Sequence, residues 1–458
     1  MHYLKQQIIK ELTGKSVLIL GFGREGKSTL NFILSNNVNC TIGIADKNEI
    51  LDESVLNNKD ILLHTGEKYL DSMRYYDLVI KTPGISFKSL DLTVIREKIT
   101  SQTELFLKYA GHKTIGITGT KGKSTTSSLI YNMLKEEKNV KLVGNIGLPA
   151  FEMIDTFDSV DLYVYELSSH QLEFVNYSPK IAVLLNMFEE HLDHYKSYEE
   201  YKEAKRNIFK YQKETDWYIY NSDMTNLLND NRNLIQNIFK VSANGIDEKN
   251  TVIYDEFDIK INLDNNKYVI KLPQDMKLKG IHNVYNIAVA LCVAKIVGVS
   301  NESVINGIKT FETLPHRLEH IGVYNEVTYV DDSISTIPQA TISAASSVDN
   351  VDTLIVGGMD RGINYTSLIE YIIKGEVQNV ILMYESGKQI YEAVKDRATT
   401  NVIYVETLEE AVKVAVKVTK KGASCVMSPA AASYGTFKNF EERGECFKEY
   451  VIKYSSRD

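Results

Sequence analysis

Several features that would assign this protein to common classes are missing from its 458 residues. No apolar run approaches the length of a membrane span, and the first segment, MHYLKQQIIKELTGKS, lacks the apolar core of a signal peptide. Four cysteines lie far apart, without the spacing of a zinc site or a disulfide framework: Cys40, Cys292, Cys425 and Cys446. We therefore expect reduced thiols and a cytoplasmic protein.

An excess of positive charge is also missing. The formal net charge of −8 argues against a general nucleic-acid role, which needs a basic face to neutralise phosphates. The 43% hydrophobic and 24% charged residues are an average mix for a soluble globular protein. Any anionic ligand must therefore be held by a local cluster of positive groups.

The chain has no low-complexity stretch and no fixed-period repeat, but strand-like and helix-like segments alternate along it, which predicts an α/β fold with parallel sheets. We predict three domains: a Rossmann-like domain at 1–106, a central P-loop ATPase-like domain at 107–312 and a C-terminal Rossmann-like domain at 313–458. Ser101 and Glu104 have the spacing of a helix capping box. FDIKINLDNNKYVIKL predicts a hairpin, and GIHNVYNIAVALCVAKIVG predicts a helix.

The segment HKTIGITGTKGKSTTSSLI runs from an apolar strand through a glycine-lysine-serine loop into a helix. Strict P-loop spacing requires a glycine where this chain has Ile117, so the loop is a variant. Gly119 and Gly122 still let backbone N–H groups converge on phosphate oxygens at the helix N-terminus. Lys123 would reach the β- and γ-phosphates and Ser124 a Mg²⁺ ion. An ordinary strand-to-helix turn is the alternative, and nucleotide binding is favoured over it.

A second glycine pattern, GFGREG, follows the first predicted strand. Gly21, Gly23 and Gly26 match the dinucleotide fingerprint, and Asp46 ends the next predicted strand. The same geometry serves NAD or a nucleotide-diphosphate sugar, and a purely structural tight turn is a third possibility.

Two further segments carry acidic and imidazole groups after apolar strands. Glu166 ends the strand in LYVYELSSHQLE, a position that commonly meets the Mg²⁺ of a nucleotide, although such a residue alone is usually solvated. NMFEEHLDHY contains Glu189, Glu190, His191, Asp193 and His194. A hydrated loop and a zinc site are possible, but the spacing matches no zinc motif, and a hard-ion site with one imidazole is preferred. By pattern alone, Lys205 on the next helix is expected on a solvated face.

The last third of the chain contains LPHRLEH, in which Arg317 could reach a phosphate. YVDDSIST, GGMDRG and SPAAASYGTFKNFEERG each follow a predicted strand, which places them at the ligand edge of an open α/β sheet. Each could be a simple turn, but together they suggest a second small-molecule site.

The combination resembles the Mur ligase family, ATP-dependent amide-bond-forming enzymes of peptidoglycan synthesis. TGTKGKSTT, GNIG, ELSSHQLE, EEHLDHY, HNVYN and LPHRLE occur in the family's order over essentially the whole chain. SPAAASYGTFKNFEERG resembles the member that adds D-glutamate to UDP-N-acetylmuramoyl-L-alanine, and the DNPR motif of the diaminopimelate-adding relatives does not occur. The resemblance implies that reaction, through an acyl phosphate, with ATP and two Mg²⁺ ions, in a cytoplasmic monomer without nucleic-acid partner or membrane insertion.

The resemblance also implies roles for individual residues. ATP would contact Gly119, Thr120, Lys121, Gly122, Lys123, Ser124, Thr125, Asn286, Arg317 and Asp332. The UDP-substrate would contact Gly23, Arg24, Glu25, Asp46, Thr82, Pro83, Gly84, Asn145, Ser168, Gln171 and His191. The amino acid would contact Thr336, Arg361, Ser433 and Phe440. Metal ligands would be Ser124, Glu166, His191 and Lys205 as its carbamate. The catalytic residues would be Lys123, His191 and Lys205.

Two positions depart from the pattern of the glutamate-adding ligases. Ile334 stands where many have a lysine, and Arg361 stands where a lysine often follows the GG pair. Arg361 could form a bidentate clamp on a carboxylate, which favours a dicarboxylic amino acid. The rival interpretations are a sibling ligase for another amino acid or for folate, and a nucleotide-sugar-binding regulator without catalysis. The folate interpretation leaves GFGREG unexplained, and the intact lysine, glutamate and histidine set argues against lost catalysis.

Overall fold

The computed structural model describes residues 3–50, 52–56, 58–145, 147–189, 191, 194–224, 234–245, 247–278, 280–312, 315–360 and 362–455, except for the side chains at 53, 54, 339, 343 and 347. The chain divides into two compact units, Met1–Phe311 and Glu312–Asp458. In this described part, no helix is both long and apolar enough to cross a membrane.

The first sheet is parallel throughout and has the strand order β3-β2-β1-β4-β5. Its central strand β1 is buried on both faces because helices cover both sides, which explains the uninterrupted apolar run VLIL. The order reverses between β1 and β4, and such a switch point opens a crevice at the carboxyl ends of the strands. The strands are β1 (Ser16–Leu20), β2 (Thr41–Asp46), β3 (Ile61–Thr65), β4 (Leu78–Lys81) and β5 (Ile99–Thr100). The helices are α1 (Tyr3–Leu12), α2 (Arg24–Ser35), α3 (Glu53–Leu56) and α4 (Gln102–Ala110), with 3₁₀ turns at Tyr69–Tyr75 and Arg96–Lys98.

Helix α4 begins where the capping-box spacing predicted. The Ser101 hydroxyl accepts a hydrogen bond from the backbone N–H of Glu104 at 3.0 Å. The Glu104 carboxylate accepts hydrogen bonds from the backbone and side-chain amides of Asn176. This contact links the helix to the second sheet, because Asn176 lies in the connection between two strands of that sheet, Leu162–Glu166 and Ile181–Leu184.

The second sheet has nine strands in the order β14-β13-β12-β11-β10-β9-β6-β8-β7, and only β12-β13-β14 are antiparallel. The predicted hairpin is confirmed: β13 and β14 pair from Asp258↔Lys271 to Leu263↔Asn266. The strands are β6 (Thr114–Thr118), β7 (Val140–Gly144), β8 (Leu162–Glu166), β9 (Ile181–Leu184), β10 (Trp217–Asn221), β11 (Asn237–Ser242), β12 (Thr251–Tyr254), β13 (Asp258–Leu263) and β14 (Asn266–Lys271). The helices are α5 (Lys123–Leu134), α6 (Ser169–Leu172), α7 (Tyr198–Lys210), α8 (Ile281–Val297) and α9 (Asn301–Lys309), with 3₁₀ turns at Gly111–Lys113 and Ala150–Thr156.

The second unit contains a six-stranded sheet of order β15-β16-β20-β17-β18-β19. The strands predicted before YVDDSIST, GGMDRG and SPAAASYGTFKNFEERG are confirmed as β16, β17 and β20. The antiparallel edge strand β15 was not predicted, because its half-exposed sequence lacks a clear apolar pattern. The strands are β15 (Glu319–Tyr324), β16 (Val327–Asp331), β17 (Val351–Val356), β18 (Asn379–Met383), β19 (Asn401–Val405) and β20 (Ser424–Met427). The helices are α10 (Pro338–Ser347), α11 (Thr366–Lys374), α12 (Tyr384–Val394), α13 (Leu408–Val418) and α14 (Phe440–Ser455).

Candidate active site

The glycine loop lies between β6 and α5, at the carboxyl edge of the second sheet. Gly122 caps α5 at φ +82°, and a Cβ at this position would lie 2.7 Å from Oδ1 of Asn286 on α8. The backbone N–H groups of Thr120 and Lys121 donate to Oδ1 of Asn186, at 3.0 and 2.8 Å. The loop is therefore held in shape by two asparagine side chains. Asn186 was missed in the sequence, because nothing in its local pattern marks it.

Two lysines converge on one carbonyl oxygen of this loop. Nζ of Lys123 and Nζ of Lys205 each lie 2.9 Å from the oxygen of Gly119. The expectation of a solvated Lys205 is wrong, since this residue is only 2% exposed. Helix α7 turns the face that carries Lys205 and Ile208 toward the second sheet. The structure thus adds a buried amine to the phosphate loop.

The oxygen donors predicted for a magnesium ion lie beside the loop. Ser124 is buried in the first turn of α5, followed by half-buried Thr125. Glu166 is buried at the end of β8, where it pairs in register with Ile117 of β6. A hydroxyl and a carboxylate are the hard ligands that Mg²⁺ prefers, so these residues fit the ion. The ammonium form of Lys205 does not fit a metal, whereas a carbamate on it would.

His191 is exposed and has a left-handed backbone, with φ +60°. Its ring centroid lies 6.1 Å from that of Tyr201, and Nζ of Lys205 lies 4.9 Å from the same tyrosine ring. The structure therefore brings His191 and Lys205 to one aromatic side chain. The neighbouring Glu190 and Asp193 lie outside the described residues.

A third histidine, His170, lies between His191 and His194. Its ring centroid is 4.7 Å from that of His191 and 4.2 Å from that of His194. Desolvation by burial lowers the pKa of His170 to about 2, and the charges of His194 and His191 act in the same direction. The imidazole is therefore neutral at physiological pH.

A cleft of about 530 Å³ opens at the switch point of the first sheet. Eight of the residues predicted for the UDP-substrate line it: Gly23, Arg24, Glu25, Asp46, Thr82, Pro83, Gly84 and Asn145. Asp46 stabilises the glycine turn, because its Oδ2 accepts the backbone N–H of Phe22 at 2.8 Å. Lys47, Asn48 and Tyr69 also line the cleft and were not predicted.

Ser168 and Gln171 connect this cleft to the second sheet. They form a reciprocal capping box at the start of α6. Nε2 of Gln171 also donates to Oε1 of Glu25 at 2.8 Å. Burial raises the pKa of Glu25, and the bond from Gln171 partly offsets that rise. The predicted substrate residues thus follow one path from the first sheet toward His170 and His191.

In the second unit, Asp332 follows β16 at the carboxyl edge of the third sheet. Its carboxylate accepts hydrogen bonds from Oγ of Ser428 at 2.7 Å and from the backbone N–H of Leu318 at 3.3 Å. Burial raises the pKa of Asp332 to about 6, while the charge of Arg317 acts against the rise. Nε of half-buried Arg317 has no hydrogen-bond partner among the residues described in the structure. Arg317 and Asp332 are therefore neighbours, as a shared role requires.

Arg443, which was not predicted, ties the edge loops of this sheet together. It donates through Nε to Oγ of Ser333, through Nη2 to the oxygen of Ser333 and through Nη1 to the oxygen of Ala431, at 3.0, 2.7 and 3.0 Å. Oγ of Ser333 in turn donates to the backbone oxygen of Phe440. Three residues predicted for the amino acid, Thr336, Ser433 and Phe440, lie on or beside these segments. Arg361 lies outside the described residues.

A buried histidine reinforces the same edge. Nδ1 of His316 lies 2.7 Å from Oδ2 of Asp331, and that contact raises the pKa of His316. With Glu319 these side chains form a cluster of metal-ligand type, in which Lys448 pairs with Glu319 at 2.9 Å. Lys448 neutralises part of the negative charge of this cluster, so ion pairing within the protein explains why these side chains lie together.

Comparison with known proteins gives matches along the whole chain. The MurD-like N-terminal domain model of Mur ligases matches residues 15–102, the Mur ligase middle domain model residues 117–294, and the Mur ligase glutamate ligase domain model residues 316–431. A UDP-N-acetylmuramoylalanine–D-glutamate ligase of Clostridium acetobutylicum is 35% identical over 459 residues, covering 97% of this chain and 98% of the relative.

A ligase of the same name from Clostridioides difficile is 34% identical over 468 residues, covering 96% of this chain and 99% of the relative. Among solved structures, the MurF ligase of Thermotoga maritima in complex with ADP has a TM-score of 0.61 at 18% identity and covers 99% of both chains. That likeness shows the fold, and it agrees with the predicted α/β architecture.

Proposed function

Because this chain belongs to the Mur ligase family, we propose that it joins D-glutamate to UDP-N-acetylmuramoyl-L-alanine in an ATP-dependent reaction. The observation that carries this proposal is the pair of amines, Lys123 and Lys205, on the Gly119 carbonyl of the phosphate loop. The product would be a precursor of peptidoglycan.

The reaction begins with attack of the alanine carboxylate on the γ-phosphate of ATP, which gives an acyl phosphate and ADP. The glutamate amine then adds to the acyl carbon, and the tetrahedral intermediate expels phosphate. Backbone N–H groups of the glycine loop and the Lys123 ammonium neutralise the transferred phosphoryl group. Ser124 and Glu166 would hold a magnesium ion, which would supply further charge neutralisation.

A carbamate on Lys205 fits the geometry better than an ammonium. Two ammonium groups at 2.9 Å from one carbonyl oxygen repel each other, and burial strengthens the repulsion because the local dielectric is low. Carbamylation replaces the second positive charge with an anionic oxygen donor. Lys205 and His191 would then hold a second divalent ion at the alanine carboxylate.

The remaining contacts follow from the chemistry of each segment. The cleft that contains Asp46 would hold uridine diphosphate, and Asn145, Gln171 and His191 would guide the muramoyl-alanine portion. Adenosine phosphates would engage Arg317, whose Nε has no hydrogen-bond partner in the described part of the chain. The other proposed ATP contacts are Thr120, Lys121, Thr125, Asn286 and Asp332. The proposed glutamate contacts are Thr336, Arg361, Ser433 and Phe440.

The proposal includes the division into domains at 1–106, 107–312 and 313–458, each built on one of the three sheets. The first limit falls within α4, which continues into the second domain. A cytoplasmic, monomeric enzyme without nucleic-acid or membrane contacts is the expected state.

The test measures phosphate release from ATP with UDP-N-acetylmuramoyl-L-alanine and D-glutamate, L-glutamate or no amino acid, followed by mass spectrometry of the product. Release and a glutamylated product with D-glutamate alone would support the proposal. A product with a different amino acid would indicate a sibling ligase, and tight substrate binding without release would indicate a regulator. Lys123→Ala serves as the inactive control.

A further inference from the structure

His170 is a partly buried imidazole that the reaction scheme above leaves without a role. It belongs to the short helix α6, and its ring meets those of His191 and His194 edge to face, at interplanar angles of 75° and 85°. In the part of the chain that the structure describes, neither ring nitrogen of His170 takes part in a hydrogen bond. His170 is only half-buried, and its ring nitrogens are accessible to solvent and therefore to a ligand.

The neighbouring His194 differs, because one of its ring nitrogens is paired within the protein. Nε2 of His194 lies 3.1 Å from Oε2 of Glu173, and the same carboxylate pairs with Nζ of buried Lys81 at 3.1 Å. These contacts orient His194, whose ring packs against that of His170. The His170 ring also contacts the ring of His191, the imidazole assigned to the second metal ion.

We propose that His170 is a second imidazole ligand of the divalent ion held by His191 and the Lys205 carbamate. This inference rests on the proposed function, which supplies that ion. Ring centroids 4.7 Å apart leave each ring free to direct one nitrogen at a shared ion. Lys205 and His191 both lie against the ring of Tyr201, which brings the third proposed ligand to the same place.

The ligand set determines which ion is preferred. Imidazole nitrogens suit first-row transition metals, whereas Mg²⁺ prefers oxygen ligands. The position at Ser124 and Glu166 offers only oxygen donors, so it remains a magnesium site. The position at His170 and His191 therefore takes Mn²⁺ or another transition-metal ion in preference to Mg²⁺.

The test uses Mn²⁺ as the probe, titrated into the full-length protein in bicarbonate buffer. Pulsed electron paramagnetic resonance of bound Mn²⁺ detects coupling to imidazole nitrogens. The wild type is expected to show two coupled imidazoles and His170→Phe only one, with Mn²⁺ affinity at that site lower by about tenfold or more. Phenylalanine retains the ring packing and removes both nitrogens.

The matched control is His112→Phe. The His112 ring is exposed, its centroid lies 5.9 Å from that of Phe157, and it is not one of the proposed metal ligands. The nitrogen coupling and the Mn²⁺ affinity should therefore stay at wild-type values. If the thermal unfolding of His170→Phe shows a folding defect, His170→Gln provides the same loss of imidazole with a polar side chain. Nitrogen coupling and affinity that survive both substitutions would overturn the proposal.

A wild-type spectrum with fewer than two imidazole couplings would overturn it as well. The failure of the proposed function is measured separately, as the absence of D-glutamate-dependent phosphate release with Mg²⁺ in the wild type. Normal release together with a spectrum unchanged in His170→Phe would reject only the role of His170.

Discussion

Replacement of Arg443 by methionine gives the sharpest test of how the C-terminal edge loops are held. Its guanidinium is fully buried and makes three hydrogen bonds to two segments, one of which lies 110 residues away in the sequence. Methionine has a similar length and fills the space, so the change removes the charged donors with little change in packing. The acceptors on Ser333 and Ala431 are then left buried without these donors.

The magnitude follows from two opposing contributions. Hydrogen bonds from a charged donor contribute about 1.5–3 kcal/mol each. Burial of the guanidinium, which lowers the pKa of Arg443 to about 10, costs several kcal/mol and offsets part of that gain. Each buried acceptor that is left without its donor costs about 1–3 kcal/mol. We expect Arg443→Met, which leaves three such acceptors, to lower the free energy of unfolding of the second unit by about 3–4 kcal/mol.

The sequence offers a built-in way to assign this loss. Its single tryptophan, Trp217, lies on β10 of the first unit, so tryptophan fluorescence reports that unit, while circular dichroism reports both. In urea, the dichroism transition should move to lower concentration and the fluorescence transition should stay. The exposed Arg397→Met in the same unit is the control. If Arg443→Met lowers the free energy of unfolding by less than about 1 kcal/mol, as the control does, the argument is refuted, because surface substitutions alone produce such values.

Three further outcomes are expected. Lys205→Ala should abolish phosphate release, and ¹³C-labelled bicarbonate should give a carbamate resonance in the wild type that this variant lacks; a resonance in both would contradict the assignment. Gly122→Ala should weaken ATP binding about tenfold or more, since the added Cβ meets Asn286, whereas Gly298→Ala, with similar φ and open space, should cost only about 1 kcal/mol of stability. His316 has a raised pKa, so it stabilises the second unit fully below about pH 6.5, and this contribution is lost as pH rises through the folded pKa. Dichroism melts of the wild type and His316→Asn should therefore differ most at low pH and converge at high pH; a constant difference would exclude the linkage.

Local patterns predicted much of the fold. Apolar runs such as VLIL and TLIV identify buried parallel strands, because these strands are covered on both faces and need no alternation. The edge strand β15 escaped prediction, since its side chains are half-exposed and its pairing partner determines its conformation. Strands can thus be predicted from the sequence where they are fully buried, and less well at the edges of the sheets.

Some residues of the candidate site could likewise be predicted from the sequence, and others could not. The glycine loop and Asp46 were identified because their function needs fixed local spacing. Asn186 holds the loop from 65 residues away, by a contact that leaves no local pattern. Arg443 reaches Ser333 across 110 residues in the same manner.

The sequence by itself determined which chemistry is available: a phosphate loop, a glycine turn for a diphosphate, and carboxylates and imidazoles after strands. Only the tertiary structure decided that Lys205 is buried beside Lys123 and that His170 meets His191. The physical reason is that residue type and spacing define local backbone shape and possible reactions. The burial and the charge environment of a residue depend instead on which faces of distant elements pack together. That packing places Lys205, expected on the surface, against the phosphate loop.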